Sequence, residues 1–209
     1  MSIVINNLAF ERNYHFLFNE INSSLNPGEL LQVRGANGSG KSTLLRILAG
    51  YIEPHAGNIL WQNKCIFKQR DQYQQQIQYL GHQNGLKPNL TVYENLQLNF
   101  ALINQKPDSL KISAALKKVD LYHLQHKQIQ YLSAGQARRL ALSRLLLRDA
   151  PLWILDEPTT ALDIHGQQLF ADLLQQHLAA DGMIVLTAHH ELTYLNKIKT
   201  LELQGEQNV

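Results

Sequence analysis

Leu30-Leu31-Gln32-Val33-Arg34-Gly35-Ala36-Asn37-Gly38-Ser39-Gly40-Lys41-Ser42-Thr43-Leu44-Leu45-Arg46-Ile47-Leu48-Ala49-Gly50 is the stretch on which the fold class turns. Leu30 to Val33 is a short apolar run suited to a buried strand. Lys41 to Ala49 carries Leu44, Leu45, Ile47 and Leu48 in a helical pattern that stops at Gly50. Between them, Gly35 to Thr43 fits the Walker A pattern G-x-x-x-x-G-K-[ST]. The glycines let the backbone aim successive N–H groups at phosphate oxygens, and the helix beginning near Lys41 adds its positive end. Gly35, Ala36, Asn37, Gly38, Ser39, Gly40, Lys41, Ser42 and Thr43 are therefore the candidate residues for the triphosphate of ATP. Lys41 is suited to the β- and γ-phosphates, and the Ser42 hydroxyl to Mg²⁺. The bland alternative is a chance glycine-rich turn, which the strand–loop–helix context disfavours.

Downstream, Leu152-Trp153-Ile154-Leu155-Asp156-Glu157 is four apolar residues ending in two carboxylates, the Walker B form. A buried strand delivers Asp156 at its carboxyl end, where ligands bind in open α/β sheets. Asp156 is placed to hold Mg²⁺, directly or through a water. Adjacent strand residues face opposite ways, so Glu157 is expected to point elsewhere and to serve as general base for an attacking water. An acidic pair capping a strand before Pro158-Thr159 is the structural alternative.

Leu132-Ser133-Ala134-Gly135-Gln136 narrows the class. A serine hydroxyl, backbone amides and a helix N-terminus describe a second anion site, or else a simple helix N-cap at Ser133. The segment resembles the L-S-G-G-Q signature of ABC ATPases, with alanine for the first glycine. That resemblance implies an α/β P-loop NTPase fold of the ABC type, with a mixed sheet core and an N-terminal antiparallel β part. It also implies a helical insertion at about residues 84–150 within one domain spanning 1–209. It implies a head-to-tail dimer in which Ser133, Ala134, Gly135 and Gln136 of one copy close on the nucleotide held by the other. Gln83, in Tyr79-Leu80-Gly81-His82-Gln83, matches the glutamine that touches Mg²⁺ or the water and couples to the membrane subunit. Asp163, in Thr160-Ala161-Leu162-Asp163, matches the aspartate that crosses the dimer interface, and His189 the histidine that contacts the γ-phosphate. His190 competes with His189, but the spacing from the strand Met183 to Thr187 favours His189. Family members stack adenine on an N-terminal aromatic; Phe10 and Tyr14 are the candidates, and Tyr14 is preferred.

Further stretches resemble the ATP-binding subunit of the cytochrome c maturation haem exporter, the CcmA family. They are Glu11-Arg12 with Leu17-Phe18, Leu60-Trp61-Gln62, Tyr79-Leu80-Gly81-His82-Gln83, Leu90-Thr91 with Glu94-Asn95-Leu96, the alanine-bearing signature, and Leu152 to Pro158. Leu140-Ala141-Leu142-Ser143-Arg144 departs mildly from the family's Val-Ala-Leu-Ala-Arg. The resemblance implies an ATPase bound to a CcmB-like membrane subunit and haem-handling neighbours, at the cytoplasmic face of the bacterial inner membrane. Another transporter's ATPase, for lipid, peptide or metal, and a soluble ABC ATPase of cofactor assembly share the same motifs.

The bulk properties fit. With 209 residues, 44% hydrophobic and 17% charged, the chain suits one globular domain and not a disordered one. Net charge is +2 with no lysine–arginine block, so nothing argues for a nucleic-acid partner. The one cysteine, Cys65, excludes an intramolecular disulfide. Met1 to Phe10 lacks the features of a signal peptide, and no run approaches the ~20 apolar residues of a membrane-spanning helix. Solubility is the expectation, with any membrane role supplied by a partner. The glutamine-rich segment Gln69 to Gln78 reads as solvated, and the histidines other than His189 and His190 as surface residues.

Overall fold

Strand β1 (Ile3–Arg12) runs antiparallel to β2 (His15–Leu25), with Arg12 opposite His15. The two residues between, Asn13 and Tyr14, both take left-handed backbone, φ 54° and 65°, the sense of turn that matches strand twist. On the other side of β1 lie β4 (Ala56–Trp61) and the short β5 (Lys64–Cys65), giving a four-stranded sheet in the order β2-β1-β4-β5. The computed structural model describes residues 1–102, 106–188 and 198–204.

The second sheet is built from β3 (Leu30–Gly35), β6 (Ile77–Leu80), β7 (Leu152–Leu155), β8 (Met183–Thr187) and β9 (Ile198–Leu203). Its order is β6-β7-β8-β3-β9, and every pairing is parallel. All residues of β7 and β8 are buried, as expected where both faces of a parallel sheet are covered. Helix α1 (Lys41–Leu48) packs against β3, β7 and β8 through Leu44, Leu45, Ile47 and Leu48. One apolar cluster runs from Ile3, Leu25, Ile59 and Trp61 to Val33, Ile154 and Val185, so the two sheets share a core. The mixed α/β architecture expected from the motifs is what the chain adopts.

Parallel pairing sets the working edge of this sheet. Val33 lies opposite Thr187 and Leu155 opposite Leu186, so β3, β7 and β8 end together. The phosphate-loop glycine, the two carboxylates and Thr187 all emerge at that edge, where open α/β sheets bind ligands.

The glutamine-rich segment departs from expectation. Arg70–Gln74 forms a short helix, α2, and Ile77 opens β6. Tyr73 is wholly buried and donates its hydroxyl to the Leu48 carbonyl at 2.7 Å. Its ring meets Trp61 edge-on at 5.7 Å, and Trp61 Nε1 donates to Gln76 Oε1 at 2.8 Å. Two apolar side chains four residues apart anchor the segment while the glutamines around them face outward or cap neighbours.

Residues 1–81, 150–157 and the described residues from Leu174 on form one compact unit; 82–149 and 158–173 form another. The second contains α3 (Val92–Leu102), α4 (Ser109–Lys118), α5 (Ala134–Ser143) and the first part of α6 (Ile164–Ala179). Asp108 caps α4 by accepting from Leu110 and Lys111 N–H. Helix α5 gives way at its end to a 3₁₀ turn at Arg144–Leu146. Ser143 accounts for this, since its hydroxyl donates to the Leu140 carbonyl at 2.8 Å and bends the last turn.

Candidate functional site

The loop between β3 and α1 is shaped by close approach. Gly35 has φ 144°, and a Cβ there would stand 2.5 Å from the Leu203 carbonyl oxygen and 2.6 Å from Ser39 Oγ. Gly40, the N-cap of α1, is left-handed at φ 91° and supplies no side-chain cap, so the first-turn N–H groups of the helix have no internal partner. Ala36, Asn37 and Gly38 are exposed, and Lys41, Ser42 and Thr43 are half-buried. Ser39 is buried with a hydroxyl oxygen that has no hydrogen-bond partner among the described residues. Lys41 Nζ donates to the Gly35 and Ala36 carbonyls, both at 2.8 Å, which leaves one of its three donors for an anion. Uncapped amides, an orphan hydroxyl and an ammonium on one glycine-bent loop make an anion cradle.

Asp156 follows β7 and continues its pairing, donating N–H to the Leu80 carbonyl at 2.7 Å. It is 2% exposed, and its Oδ1 accepts from Thr187 Oγ1 at 2.9 Å. The same Thr187 oxygen accepts the Glu157 backbone N–H at 2.7 Å. Glu157 is half-buried and left-handed, φ 46°. The two carboxylates were expected to diverge by strand alternation. The alternation does not extend that far, since β7 ends at Leu155 and Glu157 takes a left-handed backbone. Thr187 belongs to none of the motifs; its mark in the sequence is a polar residue closing an otherwise apolar strand.

At the hairpin tip, Tyr14 is 95% exposed, whereas Phe10 packs onto the core with Phe18 at 6.2 Å between ring centroids. His177 is the exception to the expected surface histidines. Its ring stacks on Trp153 at 3.8 Å and 7°, and burial lowers its pKa to about 4.

In the second unit, Ser133 caps α5 within a capping box. Its hydroxyl accepts Gln136 N–H at 3.2 Å, and Gln136 Oε1 accepts Ser133 N–H at 3.0 Å. The cap and the anion-site readings are thus compatible, since the Ser133 hydroxyl accepts in the cap and keeps its own hydrogen to donate at a helix start that is exposed at Ser133 and Ala134. A Cβ on Gly135 would come within 2.9 Å of the Ala161 carbonyl oxygen, so the helix start and the following loop require glycine to pack. Asp163 is exposed and accepts Gly166 N–H at 2.7 Å, capping α6. Gln83 is exposed, and its neighbours are gripped from α5 and the turn after it. Arg138, 3% exposed, donates to Asn84 Oδ1 at 2.9 Å, the His82 carbonyl at 3.4 Å and the Pro158 carbonyl at 3.1 Å. Arg144 donates to the Asn84 carbonyl at 2.6 Å; burial and the Arg138 charge lower its pKa.

Residues 18–160 match the ABC transporter family. The chain belongs to that family, and within it to the CcmA type. The cytochrome c biogenesis ATP-binding export protein CcmA of Methylococcus capsulatus is 45% identical over 192 residues, 92% of this chain and 93% of the relative. Its counterpart in Haemophilus influenzae is 40% identical over 97% of this chain and 96% of its own length. Among solved structures, an ABC transporter ATP-binding protein from Pyrococcus furiosus superposes with a TM-score of 0.84 at 25% identity. That match covers 97% of this chain and 98% of the other. As an ABC ATPase the chain binds and hydrolyses ATP. Its loop, carboxylates and signature helix lie among the described residues; His189 and His190 lie outside them. No helix among the described residues is long and apolar enough to cross a membrane.

Proposed function

We propose that this ABC ATPase powers a membrane export complex for c-type cytochrome biogenesis, in which hydrolysis drives haem delivery or release of a haem-loaded chaperone. The carrying observation is the identity to CcmA proteins, 45% and 40%, over nearly the full length of both partners. A CcmB-like permease and haem-handling subunits are its partners, at the cytoplasmic face of the bacterial inner membrane.

The site's chemistry supports a division of labour. Gly35 to Thr43 hold the triphosphate through backbone amides, with Lys41 on the β- and γ-phosphates. The uncapped start of α1 and the orphan Ser39 hydroxyl fit such a ligand. Ser42, Asp156 and Gln83 are the residues that would hold Mg²⁺, which when bound neutralises charge developing on the phosphoryl oxygens. Oxygen donors of this kind, with a buried carboxylate among them, suit a hard cation. Glu157 takes the proton of the attacking water. His189 contacts the γ-phosphate, and Tyr14, projecting from its hairpin, stacks on adenine. A second copy, head to tail, lends Ser133, Ala134, Gly135, Gln136 and Asp163.

Deletion in the host tests the cargo. Covalently haem-bearing c-type cytochromes are expected to vanish, to return with the wild-type chain, and to stay absent with Glu157→Gln. Intact cytochromes c after deletion would overturn the export role and leave the ATPase standing.

A further inference from the structure

Asp156 and Glu157 are 31 and 30 residues away from Thr187 in the chain, yet one oxygen atom joins all three. Thr187 closes β8 with its side chain 1% exposed, level with the end of β7. Its hydroxyl donates to Asp156 Oδ1 at 2.9 Å and accepts the Glu157 N–H at 2.7 Å. A hydroxyl can do both, since it has one hydrogen and two lone pairs. No other side chain of this shape can, because valine has neither function.

Glu157 needs such a hold. Its φ of 46° lies in the left-handed region, which glutamate seldom occupies and from which it relaxes if nothing restrains it. The amide that Thr187 accepts belongs to Glu157 itself, so the bond acts on the dihedral that aims the carboxylate. The second bond, to Asp156, fixes the metal-facing carboxylate against the same atom. Aim and anchorage of the two acidic groups are therefore set together, from β8.

We infer that Thr187 is a positioning residue for ATP hydrolysis, its hydroxyl holding Glu157 in the left-handed turn and in fixed relation to Asp156. The inference rests on the roles proposed above for Asp156 and Glu157. It concerns the chemical step and not nucleotide affinity, because Thr187 donates to no residue of the phosphate loop in the network described.

The test uses the transporter complex purified from host membranes through this chain, with kcat and KM for ATP measured per nucleotide-binding site. Thr187→Val keeps the shape and removes the hydroxyl; Thr187→Ser keeps the hydroxyl and removes the methyl. With the hydroxyl as the working group, valine lowers kcat by about ten-fold or more at a KM within about two-fold of wild type, since small misplacements of a reacting group cost this much. Serine restores kcat to within about three-fold. A role in packing alone reverses the order, with valine active and serine impaired, and overturns the inference. So does a valine variant that loses ATP binding in parallel with turnover. Glu157→Gln is measured alongside. If it is inactive while Thr187→Val turns over normally, the inference falls; if Glu157→Gln itself turns over normally, the reading of Glu157 as base falls instead.

Discussion

Replacing Tyr14 by glycine should stabilise the empty protein and weaken its grip on ATP. The structure sets both signs. Tyr14 is 95% exposed, so its ring contributes almost no burial to the fold. Its backbone sits at φ 65°, where a side chain costs roughly 1–2 kcal/mol and glycine costs nothing. Glycine also gives the unfolded chain more freedom, which returns about 0.5–1 kcal/mol of that gain. The net stabilisation is about 0.5–1 kcal/mol, a rise of roughly 1–4 °C in Tm for a chain of this size. Stacking of a base on an aromatic ring is worth about 1–3 kcal/mol, so ATP affinity should fall by roughly five- to a hundred-fold. Tyr14→Phe, keeping both ring and backbone, should match wild type in each respect. Thermal unfolding without nucleotide and titration with ATP read the two effects separately. A glycine variant that melts lower would refute the strain argument, and one with unchanged ATP affinity would send the adenine elsewhere.

His177 should impose an acid limb on stability. It is held neutral with a pKa of about 4 in the fold, against about 6.5 unfolded, so the unfolded chain binds more protons between those values. Stability is complete above pH 6.5 and is lost as pH falls toward 4, by about 2 kcal/mol after discounting for partial exposure. Denaturant midpoints at pH 7 and 4.5 should converge in His177→Leu relative to wild type; an unchanged difference rejects the assignment. Arg138→Met leaves Asn84, His82 and Pro158 without a charged donor and should cost about 2–4 kcal/mol, with faster hydrogen exchange in residues 82–85. Protection there equal to wild type would show that Arg138 does not hold the segment bearing Gln83. Lys41→Ala removes the loop's ammonium and should raise the Kd for ATP by at least about ten-fold. Equal affinity would count against the cradle.

The phosphate loop could be read from the sequence because its donors are consecutive backbone amides. Gly35 to Thr43 specify their own conformation through glycine placement and the helix that follows, and the apolar run Leu152–Leu155 likewise announces a buried strand. Strands β3, β7 and β8 were legible for the same reason, strand and helix periods being local properties. Ser133 was legible as a helix start, and its capping box with Gln136 spans only three residues.

What depended on residues far apart in the chain was decided by tertiary structure. β9 carries no motif and has Leu203 as its only fully buried residue; it becomes a strand by pairing with β3, where the Leu203 carbonyl stands against Gly35. Tyr73 among glutamines is a core residue because Trp61 and the Leu48 carbonyl await it. His177 is withdrawn from water by Trp153, and Thr187 acquires its two carboxylate-bearing neighbours only when β7 and β8 align. Sequence by itself determined the local backbone shapes and the chemistry they carry. Burial, register and hydrogen bonds between distant segments came from the folded chain, since they depend on which surfaces meet.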